Sequence, residues 1–185
     1  MPSRRSRPAG APVEPPDAAD AMEVALRHLA TRPRTRRELT LRLRRSAVPE
    51  PVIDATLDRL VEFGYVDDAA FARWWGEQRD RHAPRGRRML EAELRQRGVP
   101  RDVIEAYRAE HDEPQRAVED EALPGTEADR ARDALERHLR GRAMPDDRKA
   151  LQRIGMFLMR RGFDPEIVRS TIRDAAATDP QEPED

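Results

Sequence analysis

The sequence contains no cysteine and few aromatic residues. Without cysteine, its 185 residues form no disulfide, thiolate nucleophile or Cys-based metal site. Aromatic residues make up 4% of the chain, and no stretch approaches the roughly 20 apolar residues that a membrane helix needs. The first twenty residues include arginines but no apolar run behind them, unlike a signal peptide. These absences predict a cytoplasmic protein with no membrane segment.

Lysine is almost absent too, whereas arginine is abundant. Lys149 is the single lysine among 35 basic residues. Codon bias is the simpler explanation of this preference, since one sequence does not separate it from selection for the bidentate hydrogen bonding of arginine. The net charge of −1 hides an uneven distribution, because 22–108 and 130–174 are basic whereas 109–129 and 175–185 are acidic.

The sequence does contain one stretch that occurs three times. The segment at 94–107 reads LRQRGVPRDVIEAY, and its counterparts are LRRSAVPEPVIDAT at 43–56 and LMRRGFDPEIVRST at 158–171. Units of this size are too small to bury a core alone, so they stack on their neighbours. The repeat predicts three tandem units with a shared set of apolar core positions. In register these positions are Leu43, Leu94 and Leu158, then Val48, Val99 and Phe163, then Ile53, Ile104 and Val168.

Helix start and stop signals recur in each unit, and no alternating strand pattern of useful length is present. Thr35 and Glu38 form a capping-box pattern at a helix start, and Gly98 and Gly162 suit the ends of helices. We therefore predict an all-α protein with three tandem three-helix repeats stacked into an elongated, curved array. The predicted boundaries are a disordered arm at 1–17, repeats at 18–66 and 67–111, an acidic linker at 112–126, a repeat at 127–176 and an acidic disordered tail at 177–185.

The middle helix of each repeat is rich in arginine. A solvated face of an amphipathic helix explains any one such helix, but the same bias in all three indicates an interrupted basic track for a phosphate backbone or an acidic partner. We expect Arg37 and Arg44 on one stripe, repeated at Arg88 and Arg95, with a shifted pair at Arg153 and Arg160 in the third repeat. The candidate contact residues are Arg34, Arg36, Arg37, Arg44, Arg45, Arg85, Arg87, Arg88, Arg95, Arg97, Arg148, Lys149, Arg153, Arg160 and Arg161.

Other polar and aromatic residues give weaker functional signals. Trp74 and Trp75 are candidates for base stacking, although packing within or between units explains them better. His28 and His138 stand in matching Arg-His-Leu-x-x-Arg contexts, which indicates the repeat rather than catalysis. Paired Asp67 and Asp68 are best explained as a helix cap. No phosphate-binding glycine loop, nucleophile elbow or metal motif is present, so we expect no enzyme, cofactor or metal.

Two stretches resemble the RecX family of regulators of the RecA recombinase. They are FGYVDDAAFA at 63–72 and RGRRMLEAELRQRGV at 85–99. The preceding ALRHLATRPRTRRELTLRL at 25–43 is similar to the first unit of that family, and FLMRRGF at 157–163 to its third. Positions that match the family motif, which we interpret mainly as fold-forming, are Gly64, Tyr65, Asp67, Asp68, Phe71, Ala72, Gly86, Leu94 and Gly98.

The resemblance implies a regulator that acts by binding rather than by catalysis. Such a protein lies in the groove of the RecA filament on single-stranded DNA and inhibits filament extension, ATP hydrolysis, strand exchange and co-protease activity. It thereby regulates recombinational repair and the SOS response. We expect a monomer whose partner is this filament, with weak direct DNA binding as a further property. The acidic segment at 112–126 and the acidic tail depart from the compact family pattern.

Two alternatives belong to a different class, the DNA-binding proteins. The segment 35–66 resembles a winged-helix transcription regulator, which should continue into two β-strands that form the wing. The sequence after Asp68 is helical instead, so the wing is missing. A nonspecific nucleic-acid binder is the other alternative, and it predicts steep salt dependence with DNA alone.

Overall fold

The computed structural model describes residues 16–112 and 126–178, and these residues form helices without strands. All-α architecture is therefore confirmed. The helices fall into three consecutive groups of three, which we call the first, second and third modules. The first holds α1 (Ala18–Leu29), α2 (Arg36–Arg45) and α3 (Glu50–Glu62); the second holds α4 (Asp68–His82), α5 (Arg87–Gln96) and α6 (Arg101–Asp112); the third holds α7 (Glu127–Leu139), α8 (Arg148–Arg160) and α9 (Pro165–Thr178).

Each module has its own hydrophobic core, and the residues predicted from the repeat form it. Every one of the nine apolar positions aligned above is at most 5% exposed. They come from the end of the middle helix, the turn after it and the start of the third helix, which is why their spacing is the same each time. The repeat in sequence is thus a repeat in packing.

Side-chain caps begin several of these helices. The Thr35 hydroxyl accepts a hydrogen bond from the amide of Glu38 at 3.1 Å and so starts α2. Asp67 accepts from the amides of Ala69 and Ala70 at 2.8 and 3.0 Å, as predicted for a cap. These bonds satisfy amide groups that have no partner within the helix.

The turn after the middle helix has the same left-handed backbone in all three modules. Gly98 and Gly162 have φ values of +82° and +88°, and Ala47 occupies the corresponding place with φ of +58°. The amide one residue further on donates back to the carbonyl of Leu43, Leu94 or Leu158. A side chain makes left-handed backbone dihedral angles sterically unfavourable. Ala47 is therefore the most strained of the three residues.

The chain divides into two compact units, Met1–Val66 and Asp67–Asp185. The first unit contains the first module. Within the second unit, the second and third modules meet at two glycines whose backbones touch. The amide of Gly86 donates to the carbonyl of Arg161 at 3.0 Å, and a Cβ on Gly86 would lie 2.2 Å from the carbonyl carbon of Gly162. Only a residue without a side chain fits this contact.

The first helix of the third module is shorter than the sequence suggests. The sequence predicts a helix near 127–142, but α7 ends at Leu139. Arg140 and Gly141 both have positive φ, at +53° and +77°, and this left-handed pair ends the helix. The chain therefore turns early and places Arg140 and Arg142 beside the helix end instead of within the helix.

Three predicted segments lie wholly or mostly outside the described residues. They are the arm at 1–17, the acidic linker at 112–126 and the tail at 177–185. Across the described ranges, no helix combines the length and the apolar character needed to cross a membrane.

Candidate functional site

The middle helix of the first module faces inward with leucine and outward with arginine. Leu39 and Leu43 are fully buried, whereas Arg37, Arg44 and Arg45 are exposed. This division follows from the helical period, because the arginines lie about 100° or more away from the leucine stripe. The predicted exposure of Arg37 and Arg44 agrees with the structure.

The middle helices of the other two modules show the same division. On α5, Arg88 and Arg95 are exposed opposite the buried Leu94. On α8, Arg153 and Arg160 are exposed while Leu158 is buried. Each module therefore presents arginines of its middle helix to solvent.

Several of the predicted contact residues are engaged within the first unit. Arg36 forms an ion pair with Asp58 on α3 at 2.7 Å, and Arg44 holds Glu50 in a two-pronged contact at 2.6 and 3.0 Å. That contact raises the pKa of Arg44 and lowers that of Glu50. Arg34 donates to the carbonyl of His28 and the hydroxyl of Thr31, and burial lowers its pKa. Arg34 thus holds the α1–α2 turn.

In the second module, two predicted contact residues belong to a network around Trp75. The guanidinium carbon of Arg97 lies 3.6 Å from the centre of the Trp75 ring, and Arg79 covers the same ring at 4.4 Å. Glu93 accepts from Trp75 Nε1 at 2.8 Å and from Arg79 Nε at 2.7 Å, and Arg85 Nε lies 3.8 Å from its carboxylate. Arg85 and Arg97 therefore contribute to the packing of α4 against α5.

Two further predicted residues lie where the second and third modules meet. The backbone amide of Arg87 donates to the Glu127 carboxylate at 3.1 Å, so an acid of α7 caps α5. The guanidinium of Arg161 donates to the carbonyl of Pro84 at 3.1 Å and lies 4.7 Å from the Phe157 ring centre. Both residues help to join the modules.

Six of the fifteen candidates are exposed and make no ion pair or side-chain hydrogen bond within the described ranges. They carry charge that is available to a partner, which separates them from the engaged arginines above. These residues are Arg45, Arg88, Arg148, Lys149, Arg153 and Arg160.

The tryptophans pack inside the second module. Trp75 stacks on Phe71 with ring centres 6.2 Å apart and planes 7° apart, and its ring also contacts Arg97 and Arg79. Trp74 tilts against Phe71 at 5.6 Å. This packing favours a structural role over base stacking for Trp75.

The two histidines in matching sequence contexts occupy matching places, in the last turns of α1 and α7. Burial lowers the pKa of each, and neighbouring arginines lower it further. Among the described residues, no group of three or more His, Asp or Glu side chains is arranged to hold a metal ion.

One cationic group was not among the predicted contact residues. Arg137, Arg140 and Arg142 lie at the end of α7 and in the turn after it, beside His138 and Arg161. The sequence analysis considered only the middle helices, so it missed arginines contributed by a first helix and its turn. The Arg-His-Leu-x-x-Arg pattern at 137–142 is the sequence feature from which this cationic group could have been predicted.

The fold and surface define a class: an all-helical protein of three tandem three-helix modules that exposes arginines on the middle helix of each. Family models for the three RecX three-helix domains match in order, the first at residues 21–60, the second at 67–107 and the third at 126–172. The chain belongs to the RecX family.

Individual relatives agree with this assignment. The chain is 40% identical over 182 residues to the regulatory protein RecX of Thermobifida fusca, covering 94% of this chain and 91% of that one. It is 36% identical to the regulatory protein RecX of Mycobacterium sp. strain JLS, with coverage of 86% and 83%. The crystal structure of RecX from Lactobacillus salivarius has the same fold, with a TM-score of 0.70 at 17% identity, covering 87% of this chain and 97% of that one.

Proposed function

We propose that this protein is a non-enzymatic regulator of RecA. It binds in the groove of the RecA filament on single-stranded DNA and inhibits filament extension, ATP hydrolysis, strand exchange and co-protease activity. By doing so in the cytoplasm it regulates recombinational repair and the SOS response. Membership of a family of regulatory proteins supports this role.

The observation that carries the proposal is the exposed arginine of all three middle helices. Arg45, Arg88, Arg153 and Arg160 are exposed and make no ion pair within the described ranges. A guanidinium binds a phosphate or a carboxylate through two parallel hydrogen bonds, so the same surface serves the DNA backbone and acidic residues of RecA. Repetition of the exposed cations suits a partner that is itself periodic.

The test is the rate of ATP hydrolysis by RecA filaments preassembled on single-stranded DNA. We expect inhibition at well below one molecule of this protein per RecA, together with weak binding to the same DNA without RecA. Full ATPase activity at equimolar protein would contradict the proposal.

A charge-matched pair of variants tests which arginines make the contact. The test variant replaces Arg45, Arg88, Arg153 and Arg160 with Gln, and the control replaces four exposed arginines of first and third helices, Arg27, Arg59, Arg101 and Arg173. We expect the test variant to weaken filament binding about tenfold or more and the control to weaken it much less. Equal losses in the two variants would reject a specific contact face, and unchanged helicity in circular dichroism makes the comparison valid.

A nonspecific nucleic-acid binder is the second candidate, because exposed cations also suit free DNA. Tight, salt-sensitive binding to DNA without RecA, combined with no ATPase inhibition, would favour it. A winged-helix regulator is disfavoured, since α4 begins at Asp68, where the first wing strand should begin.

A further inference from the structure

A cleft of about 710 Å³ lies between the second and third modules and is lined by cationic side chains. Its walls come from the turn after α4, the end of α7, the turn that follows α7, and α8. Within the described part of the chain no Asp or Glu lines it. The charged and titratable residues of the lining are His82, Arg137, His138, Arg140, Arg142 and Arg161.

Most of these guanidinium groups are positioned by backbone carbonyls. Arg161 donates to the carbonyl of Pro84 at 3.1 Å, and Arg142 donates to that of Leu139 at 2.9 Å. Arg137 donates to the carbonyl of Arg81 at 2.9 Å and also to the Asp133 carboxylate at 2.8 Å. A carbonyl fixes the position of a cation without neutralising its charge, so the cleft keeps most of its positive charge.

The floor of the cleft is an ordered stack. The His138 imidazole lies on the Phe157 ring with centres 4.0 Å apart, and Arg161 also contacts that ring. Arg140 also lines the cleft, and its side chain is exposed and makes no hydrogen bond or ion pair within the described ranges. Arginines from three segments of chain, the end of α7, the turn after it and the end of α8, therefore converge on one concave space.

Positively charged neighbours in the cleft disfavour the protonated forms of His138 and Arg161. Burial lowers the pKa of His138, and Arg142, Arg161 and Arg140 lower it further. Burial also lowers the pKa of Arg161, assisted by Arg85 and Arg137. A bound anion would reverse these repulsions, since an opposite charge nearby favours the protonated form of each group.

We propose that this cleft is a binding site for a phosphate group. A tetrahedral phosphate offers oxygen atoms in several directions and so suits donors that approach from several segments, whereas the acceptor sites of a carboxylate lie in one plane. The group comes either from free phosphate or from the backbone of single-stranded DNA. If the phosphate belongs to DNA, the site gives the third module its own DNA contact. That source rests on the proposed function.

The test uses the full chain without RecA, so its failure is distinct from failure of the proposed function. The histidine C–H resonances are followed by NMR during pH titrations in sodium phosphate and in sodium chloride of equal ionic strength. We expect phosphate to raise the pKa of His138. His28 is the internal control, because it lies at the matching position of α1, where Arg32 is paired with Glu38 at 2.9 Å.

Replacement of Arg140 with Gln is the informative variant, since Arg140 holds no other part of the described structure in place. We expect the phosphate affinity measured at His138 to fall about tenfold, and Arg173→Gln on α9 to leave it unchanged. Arg161→Gln is a second variant with the same expected loss. Unchanged phosphate affinity in both Arg140→Gln and Arg161→Gln would overturn the site, as would an equal phosphate response at His28 and His138.

The source of the phosphate is distinguished by two further ligands, short oligothymidylate and oligoglutamate of the same charge. A His138 response to both phosphate and oligothymidylate supports the site with DNA as its source, and a response to phosphate alone supports it with free phosphate as the source. A stronger response to oligoglutamate than to either would overturn the proposal in favour of an acidic peptide.

Discussion

At the scale of single residues, the three modules form the same turn after the middle helix with different residues. The second residue after each middle helix adopts a left-handed backbone, and it is glycine in two modules but Ala47 in the first. Ala47 is exposed, so no packing contact offsets the steric penalty of its backbone. A comparison between the repeats thus identifies a strained position that the first module alone would not reveal.

Ala47→Gly should stabilise the first unit. The substitution removes the penalty of about 1 kcal/mol for a side chain in this region, partly offset by the greater freedom of glycine in the unfolded chain. We expect the free energy of unfolding to rise by about 0.5 kcal/mol or more in chemical denaturation. Ala55→Gly, at an exposed site within α3, is the control and should destabilise the protein. A destabilising Ala47→Gly would contradict the strain assigned to this turn.

Tyr107 is a second residue at which one module departs from the others. The repeat aligns it with Thr56 and Thr171, and all three are buried. The larger side chain fits because Gly76 faces it: a Cβ on Gly76 would lie 2.2 Å from the Tyr107 hydroxyl oxygen. Burial raises the pKa of Tyr107 from 10.0 to about 12.

This raised pKa predicts a loss of stability at alkaline pH. Folding holds the phenol proton more tightly than the unfolded chain does, so the contribution is intact below pH 10 and disappears as the pH rises towards 12. The free energy of unfolding should fall by about 3 kcal/mol across this window. Tyr107→Phe should remove that part of the pH dependence, as measured by denaturation at several pH values. An identical alkaline profile for the variant would show that Tyr107 is not responsible.

At the scale of elements, α4 and α5 are joined by a charged network as well as by apolar packing. Glu93 on α5 accepts from Trp75 and Arg79 of α4, and its side chain is only 13% exposed. Glu91, two residues earlier on α5, forms an i,i+4 pair with Arg95 at 3.4 Å. The two glutamates therefore differ in what they connect: one joins two helices and the other pairs within its own helix.

Glu93→Ala should be much more destabilising than Glu91→Ala. Loss of Glu93 leaves the partly buried indole N–H of Trp75 and the Arg79 guanidinium without this acceptor and removes the ion-pair partner of Arg85, at a cost of about 3 kcal/mol. Loss of an exposed i,i+4 pair costs about 0.5 kcal/mol or less. Thermal or urea unfolding of the two variants measures the difference. Similar unfolding midpoints would show that the network adds little to packing.

At the scale of the whole molecule, the near-zero net charge says little about the surface. The acidic stretches at 109–129 and 175–185 offset basic modules, and many arginines are already engaged in contacts between helices. The charge available to partners is therefore carried by fewer residues than the composition indicates. The second and third modules form one compact unit, in which contacts such as Gly86 with Gly162 set the shape of the phosphate cleft.

Gly86→Ala should separate the second and third modules. Gly86 has an ordinary φ of −70°, so the substitution tests close contact and not backbone strain. A methyl group 2.2 Å from the backbone of Gly162 must push the modules apart, at a cost of about 1–3 kcal/mol. We expect faster amide hydrogen exchange at the junction and a weaker phosphate response at His138. Gly155→Ala is the control, because its Cβ would meet Ile172 and Val168 at ordinary contact distances of 3.7 and 3.9 Å, and it should stabilise α8.

The fold was predictable from the sequence because its determinants are local or repeated. The apolar positions from Leu43 to Val168 recur at fixed spacing, and caps such as Thr35 and Asp67 act within three residues of the chain. Helical periodicity also placed Arg88 and Arg95 on the exposed face. The division of the middle helices into a leucine face and an arginine face needed no tertiary information.

The sequence by itself thus determined the helices, the three cores and the arginine-rich faces, since each depends on neighbours along the chain. Only the tertiary structure decided which arginines are engaged: Arg97 on Trp75 and Arg161 on Pro84 meet partners far away in sequence. It also decided that Arg140 and His138 share a cleft, because that cleft exists only where two modules pack together. Through-space contacts of this kind depend on how modules dock, and a repeat pattern encodes the modules but not their docking.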